Sequence, residues 1–223
     1  MKKTKTISIL IFTSLSLICA GLSGYLWSLI PRSSIERWED INVLDLVVIS
    51  GLFLLFLVLV YRIQMRLFPL KPGVVIYNSM ERVNAEIHML FSIMYFVPIM
   101  RSFLLPLPFL KLFYQLLGAK LGANTYPSGT LYDPSLINIG SNTILGDNCL
   151  FSPHVLETEK LSYAPISVGN NVMIGMRSII LSGAIIEDNA IVAAGALVKK
   201  GTHIKAGEVW AGVPAKKVDQ IRI

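Results

Sequence analysis

Cysteine, histidine and charge are all scarce in this chain of 223 residues. Its two cysteines, Cys19 and Cys149, lie too far apart and are too few for a disulfide-stapled mini-protein or a cysteine-rich zinc module. Only 15% of the residues are charged and 53% are apolar, with a mean hydropathy of +0.61. That composition excludes a disordered chain and departs from an ordinary soluble one. The net charge of +6 invites a nucleic-acid partner until it is divided by position. Residues 1–120 carry 12 basic and 6 acidic side chains, whereas residues 121–223 carry 8 of each. The excess flanks apolar stretches, where it orients segments in a lipid bilayer. The sequence reads as an integral membrane protein with an electrically balanced C-terminal domain and no nucleic-acid partner.

Ile7–Ile30 is a run of 24 residues without a charge. As a helix it would extend roughly 36 Å, enough to cross the hydrocarbon core. A second apolar stretch runs from about Ile41 to Tyr61, with Asp45 near its outer end. A cleaved signal peptide is excluded because the first run is too long and a second follows at once. A lipoprotein signal ending at Cys19 fails because Ile18 stands where a small residue is needed. Lys2, Lys3 and Lys5 precede the first stretch, and Arg62, Arg66 and Lys71 follow the second. The charge flanks predict a two-helix transmembrane hairpin over 1–66 with both termini cytoplasmic and the connection Arg32–Asp40 outside. This places the C-terminal domain on the cytoplasmic side of a bacterial-type inner membrane. Residues 67–120, broken by Pro98, Pro106 and Pro108, read as amphipathic helices at the interface rather than as a third span.

From Leu121 a period of six takes over. The first position of each tile reads Leu121, Pro127, Asp133, Ile139, Leu145 and Phe151, then Val168, Ile174, Ile180, Ile186, Val192, Val198, Ile204 and Trp210. Most fifth positions are small or β-branched, as at Thr143, Cys149, Ala184, Ala190 and Ala196, and glycine recurs at second positions such as Gly146 and Gly175. An inward aliphatic residue for each flat face, with a small one near each corner, is what a triangular solenoid of stacked parallel strands requires. The glycines suggest corners with unusual φ. Between the two registers, Ser162–Ser167 reads as a degenerate tile and residues 157–161 as a loop extruded directly after His154, which makes 15 tiles, or about five coils.

The pattern resembles the hexapeptide-repeat acyltransferases, whose members fold as a left-handed parallel β-helix. The fold expected is therefore a membrane-anchored α + all-β chain, with the solenoid over 121–215 and a tail over 216–223. The resemblance is carried by His154, the Pro165-Ile166-Ser167-Val168-Gly169 strand, Ile174-Gly175, and the ending Trp210-Ala211-Gly212-Val213-Pro214-Ala215-Lys216. Ala196-Leu197-Val198-Lys199-Lys200-Gly201-Thr202, and more weakly Lys71-Pro72-Gly73, are similar to a membrane-linked branch found at the end of polylysine-synthetase-type peptide synthetases.

The resemblance implies acyl transfer from acetyl-CoA or another acyl-CoA to a hydroxyl or amine, with His154 as general base and no metal. It also implies that the Met176 amide lies near the thioester, that Ala194 contacts the pantetheine arm, with Lys199 and Lys200 binding the cofactor near the end of the solenoid, and that Lys216 meets coenzyme A phosphates. A homotrimer, with sites between neighbouring solenoids, follows from the same likeness, and the membrane anchor points to an envelope or lipid-linked acceptor. Glu157 and Glu159 are the nearby candidates for a carboxylate partner of His154, whereas His88 reads as an interfacial or packed residue and His203 as solvent-facing. A zinc enzyme on the same solenoid needs three paired histidines, and only His154 is on the wall. A non-catalytic membrane-anchored scaffold is the alternative; it would keep the repeats and lose the base and the coenzyme ending.

Overall fold

The computed structural model describes residues 2–30, 42–102, 105–158 and 160–218. The expected outer connection, Glu159 and residues 219–223 of the expected tail lie outside the described residues. Helix α1 (Lys2–Ser28) packs against α2 (Val43–Leu67). Asp45 does not interrupt α2, because it belongs to a capping box at the first turn. Its backbone N–H donates to Asn42 Oδ1 at 3.0 Å, and the Asn42 N–H donates back to Asp45 Oδ2 at 3.2 Å, which satisfies two otherwise orphaned donors. Trp27 Nε1 donates to Asp45 Oδ1 at 3.0 Å and ties the two helix ends together.

Helix α3 (Met80–Phe91) starts at Ser79, whose hydroxyl accepts from the Arg82 N–H. It runs through one π-helical turn, Ser92–Phe96, into α4 (Val97–Arg101). Pro98 supplies the cause: it lacks an N–H and its ring displaces the preceding turn, so the helix widens there. Among the described residues three helices are long and apolar enough to cross a membrane: Thr4–Ser28, Val43–Leu67 and Met80–Arg101. The third differs from the others. Of its apolar window 44% is buried inside the protein, against 17% and 11%. Phe96 meets Tyr61 of α2 edge-on at 4.9 Å and Phe113 of α5 (Leu107–Leu116) at 5.9 Å, so aromatic packing fastens this helix to the rest of the chain.

The C-terminal half is a three-sided prism of parallel strands. One face stacks Lys120–Leu121, Ile137–Ile139, Ile166–Val168, Ile185–Ile186 and His203–Ile204. The second stacks Tyr126–Pro127, Ile144–Leu145, Met173–Ile174, Ile191–Val192 and Val209–Ala211, closed by the antiparallel Lys216–Val218. The third stacks Thr130–Leu131, Leu150–Ser152, Ile179–Leu181 and Leu197–Val198. The arrangement is consistent with a left-handed β-helix. Leu145, Phe151, Ile180, Val192, Val198 and Ile204 are completely buried, and so are Thr143, Cys149, Ser178, Ala184, Ala190 and Ala196 at fifth positions. Each coil buries the apolar edge of the next.

Three details differ from the sequence reading. The second-position glycines are not corners of unusual φ; the left-handed positions are two residues later, where Asn142, Asn148 and Asn171 have φ of 54–56°. Gly175 is required by close approach instead, since a Cβ there would lie 2.3 Å from Ala194 N on the next coil. Asp133 is not an inward face residue. The strand ends two residues earlier, Leu131 pairs with Phe151, and Asp133 falls in an inserted corner before the turn Pro134–Leu136. Finally, the excursion is larger than five residues. Partners lie 18 apart where Val198 stands opposite Ile180, and 29 apart where Ile180 stands opposite Phe151. The extra 11 residues form a hairpin of His154–Glu157 and Lys160–Tyr163, so Ser162–Ser167 is not a tile. Gly73–Val74, just after α2, adds a third strand to this hairpin.

Candidate active site

Three elements remote in sequence converge where the first coil is irregular. His154 opens the hairpin, His88 comes from α3, and Asp133 sits in the inserted corner with φ 47°. His154 Nδ1 lies 2.6 Å from Asp133 Oδ2, and His88 Nε2 lies 2.7 Å from Asp133 Oδ1. Asp133 is 4% exposed, the His88 side chain is fully buried, and the His154 side chain is 27% exposed. Burial alone would raise the Asp133 pKa, but the hydrogen bonds from His154 and His88 overcome it and hold the carboxyl at about 2. The hydrogen bond to Asp133 raises the His154 pKa against the opposing effect of burial.

The donor count fixes the tautomers. An ionised carboxylate only accepts, so both His88 Nε2 and His154 Nδ1 carry the proton. His88 Nδ1 then accepts from the Tyr61 hydroxyl of α2 at 3.0 Å. In the neutral His154 ring, Nε2 keeps its lone pair, and among the described residues nothing donates to it. The ring meets Tyr132 at 5.8 Å and Tyr163 at 6.4 Å, both edge-on. Arg101 Nη2 donates to the Tyr132 hydroxyl at 2.9 Å.

Residues 165–200 match the family described as bacterial transferase hexapeptide (six repeats). The matched residues lie within the C-terminal prism of parallel strands. A galactoside acetyltransferase solved with coenzyme A is similar over 73% of this chain and 91% of its own, at 20% identity and a TM-score of 0.51. A maltose O-acetyltransferase from Clostridium difficile 630 matches at 19% identity over 58% of this chain and 86% of its own, with a TM-score of 0.44. A hexapeptide-repeat acetyltransferase from Vibrio cholerae matches at 17% identity over 57% and 86%, also at 0.44. At these identities, the likeness to the galactoside acetyltransferase is one of fold. No curated protein matches the chain.

Within the prism, Met176 and Ala194 lie at one corner in successive coils. Gly195 N–H donates to Met176 O at 2.8 Å, and the Met176 N–H is donated to no backbone carbonyl among the described residues. Lys199 and Lys200 follow the strand Leu197–Val198, and Lys216 stands opposite Ala211 on the closing strand. No hydrogen bond or ion pair joins Met176, Ala194, Lys199 or Lys216 to His154. Lys200 is paired with Glu157 at the hairpin tip. Glu157 is therefore not the partner of His154; that partner is Asp133. His88 is more than a packed residue, because it holds the other oxygen of the same carboxylate. A carboxylate on a tile position that elsewhere takes an apolar residue was the one sequence signal for Asp133. His88 has no comparable signal. His203 faces solvent beside Glu187 at 2.6 Å. The buried Cys149 thiol is pushed up to about 12 by burial and the nearby Asp147, which leaves it without nucleophilic character.

Proposed function

We propose that this chain is a membrane-anchored acyltransferase that moves an acyl group from acyl-CoA to a hydroxyl or amine. The observation that carries the proposal is the buried Asp133 carboxylate holding His154 Nδ1 while Nε2 stays unoccupied. His154 Nε2 takes the acceptor proton as the acceptor oxygen or nitrogen attacks the thioester carbonyl carbon. Asp133 stabilises the imidazolium that forms, as a carboxylate does in a serine-hydrolase triad. The tetrahedral oxyanion collapses, the C–S bond breaks, and the imidazolium returns the proton to sulfur. The unpaired Met176 N–H is the candidate oxyanion donor, Ala194 borders the pantetheine arm, and Lys199, Lys200 and Lys216 supply positive charge for the phosphates. His88 is a positioning residue: it fixes the second carboxylate oxygen and so the angle of the first.

Two membrane spans, α1 and α2, fit this arrangement better than three. The helix from Met80 to Arg101 carries His88 onto Asp133, which keeps it against the solenoid and at the cytoplasmic interface. A homotrimer is supported by the outward residues Tyr126, Ile144, Met173 and Ile191, which are in register on the second face and all at least 36% exposed. Such a stripe is an apolar patch awaiting a partner surface.

The test is release of free thiol from acetyl-CoA by the purified full chain with a membrane lipid extract as acceptor. His154→Ala is expected to lower the rate roughly 100- to 10,000-fold, whereas His203→Ala leaves it unchanged. A wild-type rate in His154→Ala would sink the enzyme reading and favour a scaffold.

A further inference from the structure

Two cavities meet beside the membrane helices. The first is an apolar groove of about 360 Å³ between α1, α2 and α3, walled by Ile11, Leu15, Val60, Ile63, Val83 and Ile87. The second has a volume of about 250 Å³ and is bordered by Lys71, Glu81, the strand residue Val74 and Tyr163. Leu67, Phe68, Met80 and Asn84 line both, so one runs into the other. Ile63, Leu67, Phe68 and Met80 are each more than half exposed, which costs little only where lipid replaces water.

Polarity rises along the path in the order of a lipid molecule. At the junction Gln64 Nε2 donates to Asn84 Oδ1, which leaves Gln64 Oε1 buried and without a partner. Farther on stands the Lys71–Glu81 ion pair at 3.4 Å. The path ends at Tyr163, 2% exposed, whose hydroxyl is buried and has no hydrogen-bond partner. A buried hydroxyl left unpaired is costly, and a ligand that accepts from it removes the cost. Tyr163 is also the residue paired with His154 in the hairpin.

We propose that this groove binds the acyl acceptor as a membrane lipid. Its hydrocarbon chain lies among α1, α2 and α3, and its polar head reaches the Tyr163 hydroxyl, one aromatic ring from His154. The proposal rests on the acyltransferase reading and supplies its acceptor class: a lipid whose head carries the reacting hydroxyl or amine. The strand Gly73–Val74 links the groove wall to the catalytic hairpin, so the lipid site and the base are built on one small sheet.

The experiment uses the full chain in vesicles of phosphatidylethanolamine and phosphatidylglycerol that contain phosphatidylglycerol with a photoactivatable group in its acyl chain. After irradiation, the labelled residues are mapped by mass spectrometry. Labelling concentrated on Ile63, Leu67 and Met80 is the expected result, with much less on Leu17 of α1 and Leu55 of α2, which are comparably exposed but outside the groove. Ile63→Trp should fill the groove and cut that labelling roughly tenfold, the equivalent of losing about two buried methylenes. Even labelling of α1 and α2 would overturn the lipid site. Tyr163→Phe, which keeps the ring, should weaken thiol release with lipid extract by raising KM while kcat is held; an unchanged KM would overturn the headgroup contact. The underlying acyltransferase reading fails separately, if thiol release does not depend on His154.

Discussion

From Val168 to Trp210 the solenoid repeats without interruption; from Leu131 to Tyr163 it does not. In the regular part the inward residues from Val168 to Ile204 are all aliphatic, the corner residues from Ser178 to Thr202 are small, and coils stack 18 residues apart. In the irregular part the first coil gains a corner at Asp133 and the second expels an 11-residue hairpin. Two ionisable groups of the site, Asp133 and His154, come from those irregularities, and the third, His88, is delivered by a helix packed over them. A perfect prism has flat walls and no room for a buried carboxylate. Departing from the repeat is what makes room for the buried carboxylate, and the intact repeat on the C-terminal side is what holds the neighbouring wall still.

Replacing Asp133 is the sharpest way to break this contrast. Asp133→Asn keeps the volume but removes the negative charge that orients and stabilises His154, and turnover should fall roughly 100- to 10,000-fold. Combined with His154→Ala it should cost little more than either alone, because the two act as one unit. Additive losses, measured as thiol release, would mean the groups act separately. In the regular part the pattern should reverse. Ile180→Ala, at a completely buried position between Phe151 and Val198, should lower stability by about 2–5 kcal/mol, seen as a lower melting temperature, while surviving protein keeps its turnover. A catalytic defect without destabilisation would contradict the division of labour. The smallest effect belongs to the hairpin tip. Lys200 and Glu157 are both more than half exposed, so Glu157→Ala should change stability by less than about 1 kcal/mol.

The same contrast explains what could be read from the sequence. Tile positions from Val168 to Trp210 were legible because each residue answers only to its neighbours one coil away. The family model matches residues 165–200, nearly all of them in this stretch. The extruded segment was visible, but its size was not, since Ser162 and Ile166 fit a tile as well as a hairpin and its exit. Asp133 was visible as a residue and misplaced as a tile, because a two-residue insertion cannot be seen in a period of six where Pro127 and Asp133 already break the pattern. His88 was out of reach altogether. It lies 45 positions from Asp133, on a helix whose helical period says which face is buried but not what it is buried against. The apolar length of Met80–Arg101 likewise says nothing of the solenoid packed on it.

The pH dependence of thiol release, wild type against Asp133→Asn, tests the central claim most directly. A general base works deprotonated, so the rate must fall as pH drops through the His154 pKa. Asp133 raises that pKa above the ordinary value of 6.5, and Asp133 itself stays ionised down to about pH 2, so the carboxylate does not titrate on this limb. The wild type should therefore lose activity below a midpoint higher than 6.5. In Asp133→Asn the residual activity should show that midpoint moved to lower pH. An acid limb at the same pH in both proteins would contradict the account, because the group that titrates would then not be the histidine that Asp133 holds.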